Sequence, residues 1–186
     1  DGARTDHGGD TGPALARCVQ ALASADPAPA AVVASGDLAN AGSAAEYLRL
    51  RALLAPLTMP VYLMPGNHDD RDELRAAFAD HRYLPGAGPL YYETGAGPLR
   101  LLMLDTVVPG ADGGTLDDAQ LDWLEQQLVR EPRRPTVIFM HHPPMATGMQ
   151  RMDAIALDTA SSARLAGIVS NHGHIERIAC GHVHRA

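Results

Sequence analysis

Aromatic residues are scarce in this chain of 186 residues: they make up 4% of it, with two phenylalanines and one tryptophan. Its core must therefore be aliphatic. Cysteine is nearly absent as well. Cys18 and Cys180 are the only two, too few for a disulfide framework, and both read as small buried hydrophobes. A reducing compartment follows, so a cytoplasmic location is expected. Basic charge is in deficit: 15 Lys and Arg stand against 22 Asp and Glu, a formal net charge of -7. A nucleic-acid polymer needs a basic face, which excludes it as a partner. Long apolar runs are missing too, so no segment spans a membrane and no membrane partner is expected. No secretory leader is visible, and a start at Asp1-Gly2 leaves room for one already removed.

What is present is a hydrophobic content of 46%, enough for one core and hence one domain over residues 1–186. Helical and strand patterns alternate. Thr11-Gly12-Pro13 opens a helix running to Leu22, with Pro13 in its first turn. A β-branched run covers 30–35, a helix 43–54, a strand 61–64 and a charged helix 71–80. That charged helix, with Arg71, Asp72, Glu73 and Arg75, reads as a solvated face. Segments 90–93 and 99–104 flank Gly95-Ala96-Gly97 as a hairpin. Thr115 reads as the cap of a helix reaching Leu128. Strands follow over 136–140 and 175–180, with a helix over 161–169 between them. Apolar strands separated by helices imply an α/β protein with a largely parallel interior.

The polar residues cluster at the ends of strands. Asp37 follows the strand ending at Ser35, and Asn67-His68-Asp69 follows the one ending at Met64. His141 follows Met140; His182 and His184 follow Cys180. Ligand sites in open α/β sheets gather beyond the carboxyl ends of strands, and four such ends here carry metal-ligand residue types. Singly, each has an ordinary reading: Asp37 as a turn residue, Asn67-His68-Asp69 as a helix cap, His182-Val183-His184 as an exposed strand end. Together they form a mixed O/N donor set that suits Mn²⁺, Fe²⁺, Co²⁺ or Zn²⁺ better than a thiolate site or a Ca²⁺ cage. A carboxylate such as Asp37 can bridge two ions. Two ions about 3.5–4 Å apart can hold a hydroxide and clamp a phosphoryl group for in-line attack.

Gly36-Asp37, Gly66-Asn67-His68-Asp69, His141-His142-Pro143-Pro144 and Gly181-His182-Val183-His184 resemble the ordered signature of the calcineurin-like metallophosphoesterases. Leu104-Asp105-Thr106 and Gln120-Leu121-Asp122-Trp123-Leu124 narrow the resemblance to the class III cyclic-nucleotide phosphodiesterases and the glycerophosphodiester phosphodiesterases. The resemblance implies an αββα sandwich with mixed, largely parallel sheets. It also implies two divalent metal ions and a small phosphodiester substrate. Asp37 would bridge the metals; Asn67, His141 and His182 would complete one of them; His184 would bind the other. His68 would lie over the phosphate, stabilise charge in the transition state and protonate the leaving oxygen. His142 would orient the site from behind.

One departure stands out. The family opens with Asp-x-His after a first strand, and no Asp-x-His occurs here; Asp6-His7 has the wrong spacing. The family also continues past His184, often into a dimerising cap. The chain therefore reads as lacking its first strand and its C-terminal part, with an empty slot expected in the sheet and any homo-oligomer formed through the absent part. A phosphomonoesterase of the same fold, or a metal-poor scaffold, are the alternatives. His172-Gly173-His174 precedes the last strand and belongs to the opposite edge, away from His182. Asp105 ends a strand on the correct edge and is expected to bond backbone. Met145, Met149 and Met152 lie in the loop after Pro144, as a substrate mouth or as ordinary packing.

Overall fold

The computed structural model describes residues 11–183. Asp6, His7 and His184 lie outside the described residues. Twelve elements follow in order among those described: α1 (Gly12–Ala23), β1 (Val32–Ser35), α2 (Ala44–Leu54), β2 (Val61–Met64), α3 (Arg71–Ala77), β3 (Tyr92–Ala96), β4 (Leu99–Met103), α4 (Asp118–Arg130), β5 (Thr136–Met140), α5 (Gln150–Asp153), α6 (Thr159–Ser170) and β6 (Ile175–Cys180).

Local chemistry sets the boundaries. Pro13 occupies the first turn of α1, where its missing N–H loses nothing. The Asp70 carboxylate accepts the amides of Asp72 and Glu73 at the start of α3, and Asp158 accepts those of Ala160 and Ser161 at the start of α6. The helix expected from Thr115 begins later. Asp117 is its cap, accepting from Gln120 N, while the Thr115 hydroxyl meets Ser161 Oγ instead. Ala96 pairs with Leu99, so the hairpin turn is Gly97-Pro98, with Gly97 at φ 58° as a two-residue turn requires.

Strands β1 and β2 pair in parallel. In the second sheet the order is β3-β4-β5-β6, antiparallel at β3/β4 and parallel elsewhere. Residues of β2 alternate between two apolar clusters. Val61 and Leu63 face a cluster with Tyr47, Leu50, Leu74 and Phe78 from α2, α3 and the turn after it. Tyr62 and Met64 face the other, with Leu102, Ile138, Leu124 and Leu165 from β4, β5, α4 and α6. A period-2 strand buried on both faces thus stacks helices, sheet, sheet and helices: the αββα sandwich. Among the described residues β1 pairs only with β2 and β6 only with β5, so each keeps one edge without a ladder partner. No helix of the described residues is long and apolar enough to cross a membrane.

Two expectations are corrected here. Cys18 and Cys180 are exposed rather than buried. Cys18 sits on the outward face of α1, whose buried residues are Gly12 and Val19, and Cys180 ends an edge strand. Nor is α3 a purely solvated face. Arg71 forks onto Asp105, Nε to Oδ2 at 2.6 Å and a terminal nitrogen to Oδ1 at 2.8 Å, and also reaches the Val107 carbonyl. Its side chain is 18% exposed and that of Asp105 is fully buried. Removing one partner of a buried pair strands the other's charge, at about 3–5 kcal/mol. Arg71→Met is therefore expected to lower unfolding free energy by about 3 kcal/mol in urea denaturation. A loss under about 1 kcal/mol would mean the pair behaves like a surface contact.

Candidate metal centre

The ends of β1, β2, β5 and β6 meet. His141 Nδ1 lies 2.8 Å from the Ser35 carbonyl, joining β5 to β1, and Gly181 N donates to the His141 carbonyl, joining β6 to β5. The fully buried His141 ring then faces three donor atoms. Asn67 Oδ1 is 3.2 Å from its Nε2, His182 Nδ1 is 3.2 Å away, and Asp37 Oδ2 is 3.3 Å away.

A carbonyl has no proton to give, so His141 Nδ1 carries the ring proton. In the neutral ring, Nε2 then points a lone pair at an amide oxygen and a carboxylate oxygen. Lone pairs facing one another repel unless a proton or a metal cation lies among them. For metal–ligand bonds of about 2.0–2.2 Å, donor atoms of a tetrahedral or octahedral shell stand roughly 3.0–3.5 Å apart, the separations seen around His141. The donor set therefore fits a divalent ion. Burial pushes the Asp37 carboxyl up, but a hydrogen bond from His141 when that ring is charged, together with the His68 amide, outweighs this and holds it below the usual carboxylate range. It is ionised at neutral pH.

Backbone conformation marks the same two loops. Asp37 (φ 52°) and His182 (φ 63°) are the non-glycine residues with positive φ among those described. Each costs about 1–2 kcal/mol for an ordinary side chain and persists only where the surroundings enforce it. Glycines make room for His141: a Cβ at Gly36, Gly66 or Gly181 would run into its ring.

Around this ring of donors lie groups that aim it. His68 is exposed; its amide donates to Asp37 Oδ1 at 3.1 Å, and its Nδ1 bonds the Asn40 carbonyl at 2.9 Å. The ring nitrogen left over, Nε2, is the one available to a ligand. Glu46 shapes the loop that supplies this carbonyl, accepting from the amides of Asn40, Ala41 and Ser43. Ring nitrogens of His141, His142 and His182 lie within 4.8 Å of one another, yet both nitrogens of His142 are engaged elsewhere. Nδ1 meets Thr106 Oγ1 at 2.7 Å and Nε2 meets the Asp112 carbonyl at 3.0 Å. Burial, with the neighbouring His141 and His182 rings, pushes the His142 pKa down to about 4. It is a neutral packing partner of the ligand candidates rather than one of them.

Of the residues singled out from sequence, Asp37, Asn67, His141 and His182 converge, His68 flanks them, and His184 lies outside the described residues. His174 is elsewhere: its carbonyl accepts Thr136 N at the start of β5, the end opposite His141. Asp105 accepts the amides of Leu90 and Val107, as expected, and the Arg71 fork in addition. Gln120 grips the backbone of Asp105 with both amide atoms, tying the segment after β4 to α4. Met145 is exposed and Met149 and Met152 are half-buried. Sequence reasoning missed Asp69 as more than a helix cap. It is buried and accepts from Leu38, Ala39, Gly66 and Tyr47. Its place directly after Asn67-His68 was the available signal; Tyr47 gave none.

Comparison with known proteins follows the same lines. A family described as calcineurin-like phosphoesterase matches residues 4–186. A probable glycerophosphodiester phosphodiesterase, GpdQ, of Arcobacter nitrofigilis is 32% identical over 92% of this chain and 63% of its own length. The 3′,5′-cyclic adenosine monophosphate phosphodiesterase CpdA of Escherichia coli K12 is 32% identical over 83% of the chain and 54% of its own. A cAMP/cGMP dual specificity phosphodiesterase of Mycobacterium tuberculosis is 35% identical over 84% and 49%. The chain thus spans about half to two-thirds of the length of these curated relatives. In fold it is similar to the crystal structure of TT1561 of Thermus thermophilus, with a TM-score of 0.59 and 17% identity over 90% of this chain and 75% of that one.

Proposed function

The chain belongs to the calcineurin-like phosphoesterase family, and from that premise we propose that the protein is a binuclear metal-dependent phosphodiesterase. Its substrates would be small phosphodiesters such as 3′,5′-cyclic nucleotides or glycerophosphodiesters, the classes for which the relatives are named. One observation supports the reading: Asn67 Oδ1, His182 Nδ1 and Asp37 Oδ2 each lie within 3.3 Å of His141 Nε2.

In this reading Asp37 would be shared by two divalent ions, Mn, Fe, Co or Zn. Asn67, His141 and His182 would complete one site, and His184 would contribute to the other. When bound, the ions supply Lewis-acid charge for the phosphoryl oxygens and acidify water. The chain's own groups do the rest. His141 is held in one tautomer by the Ser35 carbonyl. His142, fixed by Thr106 and Asp112, keeps the neighbouring rings in place. His68 presents Nε2 toward the phosphate and hands a proton to the leaving oxygen.

The test uses the full-length protein. It is stripped with a chelator, reloaded with Mn²⁺, and assayed in parallel on cyclic AMP, glycerophosphocholine and a phosphomonoester. Stripping is expected to abolish turnover and Mn²⁺ to restore it, with a diester turned over faster than the monoester. Faster monoester hydrolysis would make it a phosphomonoesterase. No turnover of any ester after loading would leave a metal-poor scaffold.

A further inference from the structure

Tyr47 lies in the second turn of α2 and is fully buried. A tyrosine there would ordinarily be core filler, yet its hydroxyl is bonded at both ends. It donates to Asp69 Oδ1 at 2.9 Å and accepts from the Asp70 amide at 2.9 Å. The Asp69 carboxylate it touches is filled. Oδ2 accepts from Leu38 N at 2.9 Å and Gly66 N at 2.8 Å; Oδ1 accepts from Ala39 N at 3.0 Å as well as from Tyr47. Two donors per oxygen is the capacity of a carboxylate.

These donors come from different loops. Leu38 and Ala39 directly follow Asp37, so their amides pin the loop in which Asp37 adopts φ 52°. Gly66 directly precedes Asn67. A return strap runs the other way, from the His68 amide to Asp37 Oδ1 at 3.1 Å. The separation of Asp37 from Asn67 and His68 is therefore set by one buried carboxylate, and the fourth donor to that carboxylate is Tyr47.

We propose that Tyr47 is a positioning residue for the metal centre: through Asp69, its hydroxyl sets the spacing of the loops that carry Asp37 and Asn67-His68. The inference rests on the functional reading above. Tyr47 touches neither substrate nor metal in it. Without the hydroxyl, Asp69 Oδ1 keeps only Ala39 N as a donor and the part-buried Asp70 amide loses its acceptor. Groups left unsatisfied in that way relax toward other partners, and here relaxation moves ligand-bearing loops. Changes to groups that orient metal ligands typically weaken metal binding about 10–100-fold.

The experiment compares full-length wild type, Tyr47→Phe, Asp69→Asn and Leu50→Ala. Tyr47→Phe keeps the ring that fills the core. Asp69→Asn attacks the same strap from its other end. Leu50 is a buried residue of the same helix with no part in the strap, so Leu50→Ala reports general damage to α2. The readouts are the Mn²⁺ dissociation constant, kcat and KM on an aryl phosphodiester, and the thermal midpoint of the metal-free protein. Tyr47→Phe is expected to weaken Mn²⁺ binding at least about tenfold and to lower kcat more than it raises KM. Asp69→Asn should do the same more severely. Leu50→Ala should lower the thermal midpoint and leave Mn²⁺ affinity unchanged. Unchanged Mn²⁺ affinity in Tyr47→Phe, beside a wild type that binds, overturns this inference alone; so does an equal loss in Leu50→Ala. A wild type that binds no Mn²⁺ overturns the proposed function and this inference with it.

Discussion

His68→Ala is expected to lower turnover of diesters with alkoxide leaving groups by about 10²–10⁴-fold, the usual worth of a positioned acid or base, while leaving metal content unchanged. The expectation follows from how His68 is held. Its amide, not its ring, is bonded to Asp37. Its Nδ1 is engaged by the Asn40 carbonyl, and the residue is exposed beside the half-buried Asp37 and Asn67. A ring so placed can release a proton from Nε2 without disturbing His141, Asn67 or His182. An alkoxide departs poorly unless protonated. An aryl oxide of low pKa departs readily, so its rate should fall much less. The pair of substrates thus separates two roles. Equal losses on both would mean that the ring acts by stabilising charge alone. Loss of metal from the variant, measured by elemental analysis, would make His68 a ligand and overturn the assignment.

The convergence of Asp37, Asn67, His141 and His182 was readable from sequence because it depends on where strands end. β2 and β6 occupy the segments read for them, the apolar run 61–64 stopped by Pro65-Gly66 and the segment 175–180, which also carries Glu176 and Arg177, stopped by Gly181. Once those ends are known, parallel pairing brings Asp37, Asn67, His141 and His182 to one edge. What could not be read depends on partners distant in the chain. Arg71 looks like any charged residue on a surface helix until β4 delivers Asp105 beside it, 34 positions later. Tyr47 looks like core until its hydroxyl meets Asp69, 22 positions on. Cys180 has the character of a buried residue, and among the described residues it is exposed at the end of β6, which pairs with β5 alone. The start of α4 shifted for a local reason: Thr115 and Asp117 are both competent caps, and Thr115 is drawn away to Ser161. The glycines of the motifs are the converse case. Their spacing was visible, but their purpose, clearing space for the His141 ring, appears only when three strand ends close on it.

Asp37→Asn is expected to have the largest effect of any single isosteric change: metal binding weakened by more than about 100-fold, beyond the range for groups that merely orient ligands, and turnover lowered by about 10³-fold or more. The substitution isolates charge from geometry. Asparagine tolerates the left-handed conformation almost as well as aspartate, so φ 52° at this position imposes little new strain. Its side-chain oxygen can still accept the His68 amide. Size and packing beside Gly66 are preserved. What disappears is one negative charge, together with one of the two oxygens that a bridging ligand needs. The wild-type carboxyl is held below its usual pKa range, so the charge removed is fully present at neutral pH. Thermal midpoints of the metal-free proteins should agree closely. Titration with Mn²⁺ should then show weakened binding, and activity should recover only at high metal concentration. Alanine at the same position would lose the conformational tolerance and the His68 bond as well, so its larger destabilisation would confound the comparison. Wild-type Mn²⁺ affinity in Asp37→Asn would remove Asp37 from the ligand set, and with it the proposal that one carboxylate bridges two ions.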